Sequence, residues 1–388
     1  MTRKIVADEN IPFVEEGFGA VGTVRTAPGR ALTAADVRDA DVLLVRSVTR
    51  VDAALLEGSR VRFVGSATIG TDHVDQALLA ERGIAFAHAP GSNAGSVVEY
   101  VLAALLRLAV RSGRPLRGAT VGIVGCGTIG GRLARRLEHF GTRVLRNDPP
   151  RAAAAPGALA FVPLEQVLAE ADAVTLHVPM TRTGPYPTHH LFDETRLRRL
   201  RPGAWLLNTA RGAAVDNAAL RDVLEDAAAA AVLDVWENEP TPDPALLRQT
   251  ALATPHIAGY SFDGKVAGTR MLYDALCRFL GVPPAWDAAA VLAPVPGDRL
   301  ALVPPDPALP EPLWLDALVR QMYDVGADDR RLRRMLTLPP EAHAAYFGEL
   351  RKTYPRRRAF ERHHLARAAV PAPLHDAVAG GLGVQLTG

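Results

Sequence analysis

Short apolar runs alternate with helical patterns along most of the chain, and this alternation constrains the fold more than any other feature. Ten runs are predicted as strands: 4–8, 42–47, 62–67, 84–88, 120–125, 143–147, 173–178, 204–208, 230–235 and 251–254. Apolar strands that alternate with helices are typical of parallel sheets that carry helices on both faces. The pattern therefore predicts an α/β protein, and its last six strands suffice for a complete dinucleotide-binding sheet.

The length and charge of the chain bear on the class of protein. With 388 residues it is long enough for two or three domains. Lys and Arg together number 44 and Asp and Glu 42, so the net charge is only +2. A balance this even argues against nucleic acid or a polybasic membrane surface as the partner.

The cysteines and the apolar stretches predict a cytoplasmic location. Cys126 and Cys277 are too few for a disulfide framework, which suits a reducing compartment. The N-terminal residues lack the apolar core of a signal peptide. The longest apolar stretch, 97–110, contains Glu99 and Arg107 and cannot span a bilayer. We therefore expect a cytoplasmic protein with no membrane partner.

The most informative motif is a glycine-rich loop between a predicted strand and a helix predicted over 128–140. Gly125, Gly127 and Gly130 form the pattern G-x-G-x-x-G directly after the strand. In such a loop the first glycine allows a tight turn, the second lets backbone amides approach a pyrophosphate, and the third lets the helix pack on the strand. The start of the helix adds partial positive charge for the phosphates. The loop therefore predicts a dinucleotide cofactor.

An acidic residue at the end of the next strand discriminates between two such cofactors. Asp148 follows Gly130 by 18 residues. A carboxylate there can accept hydrogen bonds from the ribose diol and repel a 2′-phosphate. This favours NAD over NADP, although Arg146 and Arg151 nearby leave NADP open as an alternative.

Three side chains suited to one reaction follow successive strands of the predicted sheet. They are Arg211, Glu239 and His256, and ligands of open α/β sheets bind beyond the carboxyl ends of the strands. Oxidation of a secondary alcohol beside a carboxylate needs a base for the hydroxyl proton and a cation for the carboxylate. His256 can be the base, with Glu239 orienting its ring and favouring the imidazolium. Arg211 can bind the carboxylate through its bidentate fork, although an ion pair with Asp216 is its structural alternative.

Four segments carry a resemblance to a known family. The glycine-rich loop, NTARG at 208–212, LDVWENEP at 233–240 and TPHIAGY at 254–260 resemble the D-isomer-specific 2-hydroxyacid dehydrogenases. The resemblance implies NAD as the cofactor and a catalytic set of Arg211, Glu239 and His256, with His256 as proton donor and acceptor. It implies that the cofactor contacts come from a larger group of residues: Gly125, Cys126, Gly127, Thr128, Ile129, Gly130, Asp148, Val178, Asp234 and Gly259.

The resemblance also implies how the chain is divided. Residues 1–97 and 264–285 would form a flavodoxin-like substrate-binding domain, and 98–263 a Rossmann-type NAD-binding domain inserted in it. Both would be doubly wound parallel sheets. Residues 286–388, which follow the start of a proline-rich segment, would form a small α+β dimerisation domain.

The substrate implied by the resemblance is a small phosphorylated hydroxy acid. Ser47, Thr68 and Tyr260 look like its contacts. Two alternatives stay open: another 2-hydroxyacid dehydrogenase, such as one for 3-phosphoglycerate, and a non-catalytic NAD-sensing protein of the same fold. The histidines show no metal-ligand spacing, so no metal site is predicted, and the pair His189-His190 is assigned to surface or core.

A homodimer is expected from the C-terminal residues. A domain of this size buries a lower fraction of its surface than a larger domain does, and pairing with an identical copy would cover an exposed apolar stripe. The predicted stripe consists of Leu315, Leu318, Val319 and Met322. A basic cluster follows it, and would lie at the dimer rim, reach the partner's cleft or form a solvated face: Arg330, Arg331, Arg333 and Arg334.

Overall fold

The structure, a computed structural model, describes residues 2–157, 159–226 and 229–388, which form two compact units. The first unit contains the residues up to Asn93 together with Ser261–Asp298. The second contains Ala94–Tyr260 together with Arg299–Gly388, so the C-terminal residues pack within the unit that holds the glycine-rich loop. A dimerisation role for the C-terminal residues stays a prediction.

A five-stranded parallel sheet forms the centre of the first unit. Its strands are β1 (Lys4–Asp8), β2 (Thr23–Ala27), β3 (Val42–Val45), β4 (Phe63–Ser66) and β5 (Ala85–His88). Their order is β2-β1-β3-β4-β5, which confirms the predicted flavodoxin-like fold. The sequence predicts four of these strands but not β2, because its residues TVRTA include polar side chains, as an edge strand allows.

Short helices follow the strands of the first unit. They are α1 (Val14–Phe18), α2 (Ala34–Val37) and α3 (Gln76–Glu81). A capping box between Thr33 and Asp36 fixes the start of α2. The Asp75 carboxylate accepts a hydrogen bond from the Leu78 amide and so fixes the start of α3.

A six-stranded parallel sheet forms the centre of the second unit, as the sequence predicts. Its strands are β6 (Thr120–Val124), β7 (Arg143–Asn147), β8 (Ala173–Leu176), β9 (Trp205–Asn208), β10 (Ala230–Leu233) and β11 (Leu252–Ala253). Their order is β11-β10-β9-β8-β6-β7. The direction of strand addition reverses between β6 and β8, and a dinucleotide binds at such a switch point.

The helices of the second unit that precede residue 250 cover this sheet and connect its strands. They are α4 (Ala94–Ser112), α5 (Thr128–Glu138), α6 (Pro149–Ala154), α7 (Leu164–Glu170), α8 (Glu194–Leu197), α9 (Asn217–Asp226) and α10 (Pro244–Gln249). Helix α4 is buried along most of its length. Within residues 2–157, 159–226 and 229–388, every helix is too short or too polar to span a bilayer.

The chain returns to the first unit through α11 (Phe262–Leu280), which is followed by the short α12 (Ala288–Val291). The Ser261 hydroxyl accepts a hydrogen bond from the Gly264 amide at the start of α11. Gly281, with φ of 69°, ends the helix in the left-handed conformation that glycine adopts without steric cost.

The C-terminal residues of the second unit form helices and one small parallel strand pair. The elements are α13 (Glu311–Met322), α14 (Val325–Arg333), α15 (His343–Lys352), β12 (His364–Ala366) and β13 (Gln385–Thr387). This confirms a small α+β region at the C-terminus.

The apolar stripe of α13 is covered within the chain, so the prediction that an identical copy covers it is wrong. All four side chains of the stripe are at most 8% exposed. They belong to the same core as Tyr100 and Leu105 of α4. The physical reason is that α4 is buried on more than one face, so it packs against α13 as well as against the sheet.

Three of the four C-terminal arginines form ion pairs in their own chain. These pairs join Arg330 to Asp324, Arg331 to Asp328 and Arg333 to Asp329. Arg333 also donates to the carbonyl oxygens of Leu247 and Thr250, at 2.6 and 2.7 Å. Its guanidinium therefore ties α14 to the chain just before β11.

Candidate active site

The glycines of the glycine-rich loop are required for two different reasons. A Cβ on Gly125, whose φ is 89°, would lie 2.6 Å from the His177 carbonyl oxygen. A Cβ on Gly130 would lie 2.0 Å from the Gly125 carbonyl oxygen, whereas a Cβ on Gly127 would meet nothing within 4 Å. The protein itself therefore needs glycine at 125 and 130, and the open space at 127 fits the close approach of a pyrophosphate.

Asp148 lies directly beside this loop. Its Oδ2 accepts a hydrogen bond from the Cys126 amide at 2.8 Å, and its Oδ1 caps α6 through the Arg151 amide at 3.1 Å. A carboxylate has further lone pairs that can accept from a ribose diol. The Arg151 guanidinium donates to the Cys126 carbonyl oxygen at 2.9 Å, and Arg146 pairs with Glu138. Arg146 and Arg151 are the two arginines that leave NADP open as the alternative cofactor. Both thus already form bonds within the protein.

His256 and Glu239 form a direct pair at the carboxyl edge of the six-stranded sheet. They follow β11 and β10, which are neighbours in the sheet. His256 Nδ1 lies 2.8 Å from Glu239 Oε2, and Glu239 Oε1 accepts a hydrogen bond from the Trp236 amide at 3.0 Å. Burial alone would raise the pKa of Glu239, but the charge of His256 and the hydrogen bonds from His256 and Trp236 lower it overall. The carboxylate therefore stays ionised beside the imidazole.

The loop that carries His256 is organised by Asp234. The buried Asp234 carboxylate accepts hydrogen bonds from the Thr254 hydroxyl at 2.6 Å and from the amides of Ile257 and Ala258 at 2.7 and 2.9 Å. His256 itself has φ of 57°, an uncommon conformation for a non-glycine residue that occurs preferentially at functional sites. The sequence predicts Asp234 as a cofactor contact, and the structure gives its carboxylate this positioning role within the loop.

Arg211 lies on the loop next to the one that carries Glu239. A Cβ on Gly212 would lie 2.0 Å from the Trp236 carbonyl carbon, so only glycine allows these two loops to touch. The Asn208 side chain holds the backbone of Arg211 through a hydrogen bond to its carbonyl oxygen at 2.9 Å. The structure therefore places the three predicted catalytic residues after three adjacent strands, β9, β10 and β11.

Three further predicted contacts lie in the same unit. Val178 follows β8, and its Cγ1 would be 3.0 Å from a Cβ on Gly125. Gly259 lies inside a turn closed by the hydrogen bond from the Tyr260 amide to the Ile257 carbonyl oxygen at 2.8 Å. Val178, Gly259 and Tyr260 therefore belong to the loops beyond the carboxyl ends of the strands.

The two other predicted substrate contacts lie in the first unit. Ser47 is exposed beyond β3. Thr68 follows β4, and its hydroxyl lies 2.7 Å from the Ser66 hydroxyl and donates to the Gly70 carbonyl oxygen at 3.0 Å. His73 Nε2 continues the chain of hydrogen bonds, 2.9 Å from Ser66 Oγ. Sequence reasoning does not place His73 here, because the contact depends on how the loop after β4 folds back.

Sequence reasoning also misses a histidine beside the glycine-rich loop. His177 directly follows β8, with Nε2 at 3.0 Å from the Thr175 hydroxyl. Burial lowers the pKa of His177 to about 3, so its ring is neutral. Its place at the carboxyl end of a predicted strand is the signal that could have identified it.

His189, His190 and Glu237 are close enough together to hold a metal ion, the one such group found among the described residues. His190 Nε2 lies 2.6 Å from Glu237 Oε1, and the Asn217 amide donates to Glu237 Oε2 at 2.8 Å. The two imidazole rings are stacked, with centroids 4.1 Å apart and planes 18° apart. His190 Nε2 donates to the Glu237 carboxylate, so this nitrogen offers no lone pair to an ion in this arrangement. We interpret the group as a hydrogen-bonded connection between loops.

Comparison with known proteins first defines the class. The family described as "D-isomer specific 2-hydroxyacid dehydrogenase, NAD binding domain" matches residues 103–258. A domain of unknown function matches residues 312–374. Among solved structures, the TT0316 protein of Thermus thermophilus has a TM-score of 0.61 and 31% identity, covering 72% of this chain and 98% of that one. The class is therefore that of the NAD-binding 2-hydroxyacid dehydrogenases.

Curated relatives then define the branch. An erythronate-4-phosphate dehydrogenase of Salinibacter ruber is 57% identical over 387 residues, which is 99% of either chain. Another, of Azotobacter vinelandii, is 52% identical over 92% of either chain. The chain belongs to the family of erythronate-4-phosphate dehydrogenases.

Proposed function

We propose that this protein oxidises 4-phospho-D-erythronate to 2-oxo-3-hydroxy-4-phosphobutanoate with NAD, a step in the biosynthesis of pyridoxal 5′-phosphate. The observation that carries the proposal is the 2.8 Å pair of His256 and Glu239 at the edge of a dinucleotide-binding sheet. The similarity to curated erythronate-4-phosphate dehydrogenases over nearly the whole chain supports this choice of substrate.

His256 accepts the proton of the substrate C2 hydroxyl in this proposal. Its Nδ1 is held by Glu239, and its Nε2 has no hydrogen-bond partner among the described residues, so Nε2 is the atom that can face the substrate. The Glu239 carboxylate fixes the ring and stabilises the imidazolium that forms. Arg211 binds the substrate carboxylate. NAD, when bound, accepts the hydride from C2.

The glycine-rich loop is the proposed binding site of the cofactor. The backbone of residues 125–130 would contact the pyrophosphate, helped by the start of α5, and Asp148 would bind the adenosine ribose. Further proposed contacts are Val178, Asp234 and Gly259 for the cofactor, and Ser47, Thr68 and Tyr260 for the substrate.

Replacing Asp148 by alanine is expected to narrow the preference for NAD over NADP by about tenfold or more, roughly 1.4 kcal/mol. The change removes both the acceptor for the ribose diol and the charge that repels a 2′-phosphate. The measurement is kcat/KM for the two cofactors. Glu170→Ala is a matched control, because it removes a carboxylate that pairs with Arg143 at the opposite end of β7. An Asp148 variant that keeps the full preference would contradict the assignment.

A cytoplasmic homodimer is also part of the proposal. Its support is the resemblance to a branch of the family that carries a dimerisation domain. Light scattering of the intact protein at micromolar concentration is expected to give twice the 41.4 kDa mass of one chain. A stable monomer under these conditions would refute the dimer.

The direct test of substrate choice compares two phosphorylated acids. Purified protein with NAD is expected to form NADH from 4-phospho-D-erythronate with a much higher kcat/KM than from 3-phospho-D-glycerate. Faster turnover of 3-phospho-D-glycerate would assign a different dehydrogenase activity. Binding of NAD without turnover of either acid would indicate an NAD-sensing protein.

A further inference from the structure

Arg351 lies in the last turn of α15, in a part of the chain that contains none of the predicted site residues. The helix is anchored in the second unit by Phe347 and Leu350, which are 1% and 7% exposed. They pack in the same core as Trp236, the residue whose amide donates to Glu239. The C-terminal segment therefore holds α15 against the core that also contains Trp236.

The side chain of Arg351 lies over Tyr260, a proposed substrate contact. Its guanidinium carbon is 5.7 Å from the centre of the Tyr260 ring. Tyr260 also makes an edge-to-face contact with Tyr354, with ring centroids 5.6 Å apart. The Tyr354 hydroxyl donates to Asp328 Oδ2 at 2.9 Å. The C-terminal segment thus fixes both the tyrosine and the cation beside it.

Arg351 forms no ion pair with a carboxylate among the described residues. Its charge is one of those that lower the pKa of Glu239, after the larger effects of burial, which raises that pKa, and of His256. The Nε of Arg351 is buried without a hydrogen-bond partner among the described residues. Its two terminal nitrogens also have no hydrogen-bond partner among the described residues, but they are not among the buried atoms and so stay open to an anion.

We propose that Arg351 binds the phosphate of the substrate and so determines the specificity for a phosphorylated acid. This inference rests on the proposed function, in which Arg211 binds the carboxylate at the reacting end. A phosphorylated hydroxy acid carries an anion at each end and needs a second cation. The planar guanidinium fork matches a phosphate group, and its N–H groups are the donors required.

The test compares Arg351→Gln and Arg351→Lys with Lys352→Gln as the matched control. Lys352 is exposed in the same helical turn, so its variant removes a positive charge while the donors of Arg351 stay in place. The measured quantities are KM and kcat for 4-phospho-D-erythronate, and the inhibition constant of D-erythronate, which lacks the phosphate, as a competitor. Using D-erythronate as an inhibitor makes the comparison independent of its turnover.

Arg351→Gln is expected to raise the KM for 4-phospho-D-erythronate roughly ten- to hundredfold, while the inhibition constant of D-erythronate changes less than about twofold. Arg351→Lys should recover part of the loss, because it restores the charge without the fork. Lys352→Gln should behave like the wild type.

Equal weakening of both ligands, an unchanged KM, or a fall in kcat alone would overturn the role of Arg351 in phosphate binding. A fall in kcat alone would mean that the side chain acts only on Tyr260 and Glu239. A failure of the proposed function is distinguishable, because the wild-type protein would then fail to oxidise 4-phospho-D-erythronate.

Discussion

Replacing His256 by asparagine is expected to lower kcat by roughly 10²- to 10⁴-fold while NAD binding stays intact. The loss follows because no base would remain at the position of His256 Nε2 to accept the hydroxyl proton. Asparagine is the suitable replacement, since it tolerates the left-handed conformation, with φ of 57°, in which His256 is held. The measurements are single-turnover formation of NADH and calorimetric binding of NAD.

The control for this prediction is Glu239→Gln, which keeps the shape of the pair and removes its charge. The Glu239 carboxylate holds Nδ1 of the ring at 2.8 Å, so its loss should lower kcat by roughly tenfold or more while NAD binding stays intact. A His256 variant with near-normal turnover, or a Glu239 variant with an unchanged kcat, would rule out the pair as the acid–base group.

Two alanine substitutions in the glycine-rich loop are expected to have different effects. Gly127→Ala should weaken NAD binding by about tenfold or more, because the new Cβ points into space that the protein leaves open for the pyrophosphate. Its free energy of unfolding should stay within about 0.5 kcal/mol of the wild type. Gly130→Ala should destabilise the fold by roughly 1–3 kcal/mol, because its Cβ would lie 2.0 Å from the Gly125 carbonyl oxygen.

Thermal unfolding without cofactor and titration with NAD separate the two effects. Val121→Ala serves as a control for stability, because it shortens a buried side chain of β6 away from the loop. If Gly127→Ala bound NAD as tightly as the wild type, the open space would not be the pyrophosphate site.

The sequence predicts those parts of the active site that short-range patterns determine. The glycine-rich loop is recognisable because its turn, its approach to a pyrophosphate and its close packing each require glycine at a fixed spacing. Glu239 and His256 can be expected near each other because parallel neighbouring strands end at one sheet edge, although their 2.8 Å contact needs the structure.

Contacts between distant segments are not predictable from such patterns. The stripe on α13 looks like a dimer surface in the sequence, and only the structure shows that α4 covers it. Asp234 appears as a cofactor residue in its motif, yet its carboxylate organises the loop around His256. Arg351 carries no motif, because its place beside Tyr260 depends on how the C-terminal helices pack within the second unit.

This chain is expected to transfer hydrogen from C2 of 4-phospho-D-erythronate to NAD. The most direct measurement mixes the protein and NAD with substrate that carries deuterium on C2, in a single turnover that does not require release of the product. Mass spectrometry of the reduced nicotinamide is predicted to show one deuterium on its ring, formed together with the 2-oxo acid. Recovery of unreacted NAD, or of reduced nicotinamide without deuterium, would contradict this expectation.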